Sequence, residues 1–148
     1  MLADKYIVNV EGVVVRDGHC LIAVRGEEEY APGGLALPGG EVEGAGSRDG
    51  ILEETLRREI LEETGIEVHA EMEYLKSSSF VAEGDPVVDG VFLCRYRVGT
   101  PSIADPGEVA AIRWMTFQDA AAHPEISPWT RDSLDRAERK RLAQPCAD

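Results

Sequence analysis

Apolar residues in this chain recur at helix-like intervals between residues 50 and 65 and at strand-like intervals on both sides of that segment. β-Branched and aliphatic side chains dominate residues 6–15 and 20–24, and the pair Asp17-Gly18 lies between these two runs. An Asp-Gly pair in such a position is typical of the tight turn of a β-hairpin. Similar apolar runs bounded by glycine and proline predict further strands at 66–80 (one or two strands), 87–98 and 109–115, with a turn at 83–86 and loops at 26–34 and 99–107.

The middle of the chain predicts a long helix. Its apolar residues are spaced by four positions and form a stripe along one side: Leu52, Leu56 and Ile60. The helix is expected to begin at Asp49 or Gly50, with Glu53 as half of a capping box. Gly65 is expected to end the helix as its C-cap.

Two more helices are predicted in the last third of the chain. Residues 116–119, Thr-Phe-Gln-Asp, form a capping box that opens a short helix. Residues 129–142 have a helical pattern, and Ser127 or Thr130 can cap this helix. Its apolar side chains are expected to face inward: Trp129, Leu134, Ala137 and Leu142. Trp114, on the predicted strand before these helices, is expected to face inward as well. Hairpins and helices in this irregular alternation predict an α/β protein, in which helices sandwich a mixed sheet.

Length, charge and cysteine usage limit the class of protein. A chain of 148 residues with 43% hydrophobic content predicts one domain over 1–148. The formal charge of 15 − 28 = −13 argues against a nucleic-acid polymer or an anionic membrane as partner. Cys20, Cys94 and Cys146 are widely spaced, which indicates neither a disulfide framework nor a zinc site. No apolar leader or membrane-length stretch is present, so we expect a cytoplasmic protein with a small-molecule partner.

Three carboxylates on the predicted helix are the candidate chemistry. Glu59, Glu62 and Glu63 occupy positions i, i+3 and i+4, and two of them lie beside the apolar stripe, which faces the protein. Anions so close together repel unless a cation neutralises them, and Mg²⁺ takes oxygen ligands. The alternative is a solvated acidic helix in which Arg58 and Glu62 form an ordinary ion pair. Pro38-Gly39-Gly40 is either a plain tight turn or a place where backbone approaches a phosphate closely.

Residues 58–66, Arg-Glu-Ile-Leu-Glu-Glu-Thr-Gly-Ile, together with Pro38-Gly39-Gly40 resemble the Nudix box of the Nudix hydrolases. That box contains a glycine, five residues, a glutamate, seven residues, and then Arg-Glu-apolar-x-Glu-Glu-x-Gly-apolar. All nine positions of its second half are matched here. The first half departs from the pattern, because the interval between the last glycine of the turn and the arginine is four residues longer.

The longer interval displaces the box glutamate. Counted forward from Gly40, the glutamate position falls on Gly46, and counted back from Arg58 it falls on Gly50. Neither residue is acidic. Asp49 and Glu43 are the candidates to replace it.

The resemblance implies an α/β/α Nudix fold and an activity. A Nudix hydrolase would cleave a phosphoanhydride bond in a nucleoside diphosphate linked to another group, with Mg²⁺ or Mn²⁺ as cofactor. The candidate substrates are ADP-ribose, nucleotide sugars, dinucleoside polyphosphates and modified nucleoside triphosphates. The alternative is a Nudix-like domain that binds a nucleotide without cutting it. A small nucleotide is the expected partner, and a second copy of the chain in a homodimer is a further candidate.

The resemblance also implies roles for individual residues. Glu59, Glu62 and Glu63 match the metal ligands, and Arg58 matches the arginine that orients the glutamates. The turn glycines Gly39 and Gly40 match the backbone beside the diphosphate. Some Nudix enzymes recruit a further carboxylate from the loop before the last strand, where this chain has Glu108. The expected catalytic residues are therefore Arg58, Glu59, Glu63 and Glu108, although the identity of the general base stays open.

Overall fold

The computed structural model describes residues 5–44 and 46–144. Its strands and helices follow one another in the order β1 (Ile7–Arg16), β2 (His19–Arg25), β3 (Leu35–Ala36), β4 (Gly39–Glu41), α1 (Ile51–Thr64), β5 (Glu67–Val68), β6 (Glu73–Ala82), β7 (Asp85–Val98), β8 (Val109–Thr116), α2 (Phe117–Ala122) and α3 (Pro128–Leu142). Cys146 lies outside the described residues.

The strands form one mixed sheet. β1 and β2 form the predicted antiparallel hairpin, and β8 and β3 pair with β2. On the other side β1 pairs in parallel with β7, from Ile7 opposite Val87 to Val15 opposite Arg95. β6 and β5 both pair with β7 in antiparallel fashion. The parallel pairing brings together residues eighty positions apart and makes the sheet mixed, as expected.

Helices cover both faces of this sheet. On one face Leu56 and Ile60 of α1 are fully buried in a cluster with Val10, Val14 and Leu21. On the other face α2 and α3 cover a second cluster, to which they contribute Phe117, Ala120, Leu134 and Ala137. Each helix thus buries one apolar side against the sheet, which removes that surface from water. The prediction of a single α/β/α layered architecture is confirmed.

The prediction for the inward face of α3 is only partly right. Leu134 and Ala137 are buried, but the side chains of Trp129 and Leu142 are 66% and 67% exposed. Leu134 and Ala137 share the inner side of α3 with two small polar residues, Thr130 and Ser133. At about 100° per residue, Trp129 and Leu142 lie roughly 90° and 130° away from the middle of that side. Ser127 caps the helix as expected, since its side chain accepts a hydrogen bond from Thr130 N.

The capping box predicted at the start of α1 is wrong. Gly50 is the N-cap, in the left-handed conformation with φ 66°, and it has no side chain that could accept a hydrogen bond. Gly65 ends the helix as predicted, with φ 76° and its N–H bonded to Leu61 O. The predicted turn at 83–86 is shorter than expected, because only Glu83 and Gly84 lie between the paired ends of β6 and β7.

No helix in the described part of the chain combines the length and the apolar character needed to cross a membrane.

Candidate active site

α1 presents its carboxylates at the border between the buried stripe and solvent. Because Ile60 is fully buried, the adjacent Glu59 is held against the protein, and its side chain is only 22% exposed. Glu63 is half-buried on the same side, whereas the side chain of Glu62 is 59% exposed. The expectation that Glu59 and Glu63 face the protein is therefore met, while Glu62 lies further out.

The glycine pair lies directly against these carboxylates. The interpretation of residues 38–40 as a plain turn is wrong, because Gly39 and Gly40 belong to β4, which pairs with Glu11 and Val10 of β1. A Cβ at Gly39 would lie 2.0 Å from Val10 O, and one at Gly40 would lie 2.5 Å from Glu59 Cδ. Glycine is thus required at residue 39, where a Cβ would meet the backbone of β1, whereas at residue 40 it leaves the space that the Glu59 side chain occupies.

One backbone group of β4 also contacts the helix carboxylates. Gly39 N donates a long hydrogen bond of 3.5 Å to Glu63 Oε2. Arg58 contacts the other two glutamates: its Nη1 lies 3.3 Å from Glu59 Oε1 and 3.4 Å from Glu62 Oε2. Arg58 therefore bridges Glu59 and Glu62, as an orienting arginine would, and the ordinary i, i+4 pair is part of the same arrangement.

Two adjoining clefts meet at Glu63 and Glu108. The larger, with a volume of about 200 Å³, lies between strands β1 and β2 and the loop after β2, and we call it the sheet cleft. The smaller, of about 110 Å³, lies along α1 and is called the helix cleft; its lining residues are Glu59, Glu62, Glu63, Ala104, Asp105, Glu108 and Val109. Glu63, Glu108 and Val109 line both clefts. The fold thus brings the predicted loop carboxylate to the helix carboxylates.

The helix carboxylates are held in an environment that disfavours their charge. Burial, together with the negative charges of Glu108, Glu59 and Glu29, raises the pKa of Glu63 to about 7, although the hydrogen bond from Gly39 acts to lower it. Burial also raises the pKa of Glu59, although Arg58 opposes this effect. Acidic groups with raised pKa values in a cleft are typical of functional sites.

The donor chemistry fits a hard divalent cation. The candidate ligands are all carboxylate oxygens, which Mg²⁺ prefers. Within residues 5–44 and 46–144, however, no three His, Cys, Asp or Glu side chains stand so that they could hold a metal ion together. Mg²⁺ sites usually use only one or two carboxylates and complete their coordination with water and substrate phosphates, so a closed cage of three is not required.

The longer first half of the box forms the connection between β4 and α1. Of the two candidates to replace the box glutamate, Glu43 is close enough to Glu59 to contribute to its raised pKa. Asp49 is exposed just before α1. Glu43 is exposed as well, and its charge effect on Glu59 is what favours it over Asp49 as the replacement.

Sequence reasoning missed a polar group on the floor of the sheet cleft. Asn9 and Glu11 of β1 line this cleft, and Asn9 Nδ2 donates a hydrogen bond of 2.7 Å to Oδ1 of the buried Asp89 on β7. Burial raises the pKa of Glu11 well above its usual range, and Asp89 adds to this through a hydrogen bond and its charge. The sequence did contain a signal for this polar group, because Asn9 and Glu11 are polar residues at alternate positions of an otherwise apolar strand.

A mixed sheet between helices, with an acidic helix packed against a glycine strand beside two clefts, defines an α/β/α protein with a site suited to phosphate chemistry. The family model of the NUDIX domain matches residues 5–137, and the chain belongs to this family. It is therefore a Nudix pyrophosphohydrolase, and the resemblance read from the box is confirmed.

Solved structures show the same fold. The MutT NUDIX hydrolase from Burkholderia pseudomallei has a TM-score of 0.74 and 27% identity, over 90% of this chain and 98% of its own. The ORF135 protein of E. coli has a TM-score of 0.72 and 27% identity, over 97% of this chain and 96% of its own. A UDP-X diphosphatase has a TM-score of 0.70 and 21% identity, over 97% and 66% of the two chains. No curated protein matches the chain in sequence.

Proposed function

We propose that this enzyme hydrolyses a phosphoanhydride bond of a nucleoside diphosphate linked to another group, with Mg²⁺ or Mn²⁺ as cofactor. The observation that supports this most strongly is the position of Glu59 and Glu63, which are half-buried against the glycine strand with raised pKa values. Carboxylates held in this way are stabilised by a divalent cation, and a diphosphate supplies the remaining oxygen ligands.

The proposed division of roles follows the contacts around the two clefts. One or two of Glu59, Glu62 and Glu63 would hold the cation, with water and substrate phosphates as its other ligands, and the cation would neutralise charge and lower the pKa of water. Arg58 keeps Glu59 and Glu62 in position through its two ion pairs. The β4 backbone at Gly39 and Gly40 lies directly against the helix carboxylates, and in this proposal it would lie beside the diphosphate.

Two residues on other elements complete the site. Glu108 lines both clefts together with Glu63 and, in this proposal, would accept a proton from the attacking water. Arg25 also lines the sheet cleft, where its positive charge suits a phosphate of the substrate. The substrate class is a small nucleotide of the cytoplasm.

A panel assay tests the proposed function. The purified protein is incubated with ADP-ribose, nucleotide sugars, dinucleoside polyphosphates and modified nucleoside triphosphates, with Mg²⁺, with Mn²⁺ and with a chelator. We expect cleavage of at least one class, only when a metal is present, and a loss of about 10²-fold or more in Glu59→Gln.

The matched control is Glu54→Gln, which alters an exposed acid on the same helix. It should retain the activity of the parent. Equal activity of Glu59→Gln and Glu54→Gln at saturating metal would contradict the proposed site, and binding of nucleotides without cleavage of any would contradict the proposed reaction.

A further inference from the structure

The backbone that carries Glu108 is held from two sides. From one side, Gly26 N donates a hydrogen bond of 2.9 Å to Glu108 O, and Glu28 N donates one of 3.0 Å to Gly107 O. From the other side, Gly107 N donates a hydrogen bond of 3.0 Å to Asp105 Oδ1, and Glu108 N donates one of 3.1 Å to Asp105 O. We call these four hydrogen bonds the Glu108 clamp.

Gly26 packs so closely on this backbone that no side chain fits. A Cβ at residue 26 would lie 2.1 Å from Gly107 O and 2.9 Å from the carbonyl carbon of Glu108. Both neighbours are main-chain atoms, so any larger residue must push the backbone of residues 107–108 away. Gly26 is buried, which leaves the added atom no route towards solvent.

Gly107 differs from Gly26 in what surrounds it. A Cβ at residue 107 would meet the carboxyl group of Glu28, with its nearest atom at 2.3 Å. That group is the end of an exposed, flexible side chain and can rotate into solvent. The two glycines of the clamp therefore respond differently to an added methyl group. A methyl group on residue 26 displaces the Glu108 backbone, whereas one on residue 107 does not.

The pairing of β2 with β8 adds a second constraint at the same place. Val24 is opposite Ala111, but the next residue, Arg25, is opposite Val109, so the register shifts by one position on β8. An irregularity of this kind changes the direction of the side chains beside it. Glu108 directly precedes the shifted pair, and its direction thus depends on both the bulge and the clamp.

We infer that Gly26 is a positioning residue, which acts by holding the Glu108 backbone so that the carboxylate of Glu108 stays at the junction of the two clefts beside Glu63. This inference rests on the proposed role of Glu108 in the reaction. Relief of a 2.1 Å contact requires a backbone movement of about 1 Å, and a displacement of that size at a reacting group lowers rates by up to about 10²-fold.

A double-mutant cycle tests the inference. Turnover and KM are measured for the parent, Gly26→Ala, Glu108→Gln and the double variant, on the substrate cleaved fastest in the panel. Gly26→Ala and Glu108→Gln should each lower kcat by at least about tenfold and change KM by less than about threefold. The double variant should be no more than about twofold slower than the slower single variant, because both changes act through the same carboxylate.

Gly107→Ala is the matched control and should keep kcat within about twofold of the parent. Losses that multiply in the double variant would overturn the inference, and so would an equal loss in Gly107→Ala or full activity of Gly26→Ala beside an impaired Glu108→Gln. A fully active Glu108→Gln would overturn it as well, since Gly26 would then position no reacting group. Failure of the parent to hydrolyse any substrate is a different result, which refutes the proposed function itself.

Should Gly26→Ala not fold, the same cycle is run with Asp105→Ala. This change removes the side-chain acceptor of the Gly107 N–H, one of the two hydrogen bonds on the other side of the clamp, and so loosens the Glu108 backbone there. A loss of kcat that disappears in the Glu108→Gln background supports the clamp, and an independent loss overturns it.

Discussion

Replacing Glu63 with glutamine should stabilise the metal-free protein above neutral pH while it impairs hydrolysis. Burial raises the pKa of Glu63 from 4.5 to about 7. A group whose pKa is raised on folding binds its proton more tightly in the folded chain, so the free energy of unfolding falls as pH rises. The fall begins near the unfolded value of 4.5 and is complete once pH exceeds the folded value of about 7.

The size of this effect follows from the pKa. A value of about 7 in place of 4.5 corresponds to about 3 kcal/mol, at about 1.36 kcal/mol per pH unit. Glu63 is only half-buried, and solvent screening reduces the expected gain to about 1–2 kcal/mol. For a chain of this length, that gain raises Tm by about 3–6 °C. Glutamine keeps a carbonyl oxygen for the Gly39 N–H, so the substitution removes mainly the charge.

Thermal unfolding followed by circular dichroism in the presence of a chelator measures this gain. The increase in Tm of Glu63→Gln should be large at about pH 8 and small at about pH 5, where the parent carboxyl is already protonated. Glu54→Gln, an exposed change on the same helix, should show no such dependence. Added Mg²⁺ should raise the Tm of the parent more than that of Glu63→Gln. A Glu63→Gln protein that is less stable than the parent at about pH 8 would refute this reasoning.

Three further predictions concern neighbouring groups. Arg58→Lys should lower kcat by about tenfold, because lysine keeps the charge but loses the planar group that bridges two glutamates; full activity in steady-state kinetics would make Arg58 a surface partner. Gly40→Ala should leave Tm nearly unchanged and lower kcat by about tenfold, since its Cβ displaces the flexible Glu59 carboxylate rather than the backbone; unchanged kinetics would contradict this. Glu11→Gln should raise Tm increasingly from about pH 5 to about pH 8, because burial raises the pKa of Glu11; a pH-independent change in the melting curves would refute it.

Local signals in the sequence predicted most of the elements. The Asp-Gly turn, the Thr116 and Ser127 caps and the C-cap at Gly65 all lie where expected, because each depends on residues close together in the chain. The helix carboxylates could be grouped for the same reason, since helical spacing alone places them on one side.

Features that depend on distant pairing could not be predicted in this way. The polar floor of the sheet cleft requires the parallel pairing of β1 with β7, which places Asn9 opposite Asp89. The glycine pair was assigned to a turn because its pairing with β1 leaves no local signal. The Glu108 clamp likewise joins two loops about eighty residues apart, and only the fold shows that Gly26 touches that backbone.

The most direct test of the proposed chemistry is hydrolysis in ¹⁸O-labelled water with Mg²⁺ present, followed by mass spectrometry of the products. Attack of water on phosphorus predicts one labelled oxygen in a phosphate group of one product per bond cleaved, and no cleavage with a chelator. Glu59→Gln should yield the same labelled product at a rate about 10²-fold lower. Label in a product without phosphate, or cleavage that continues without metal, would contradict a metal-dependent phosphoanhydride hydrolase.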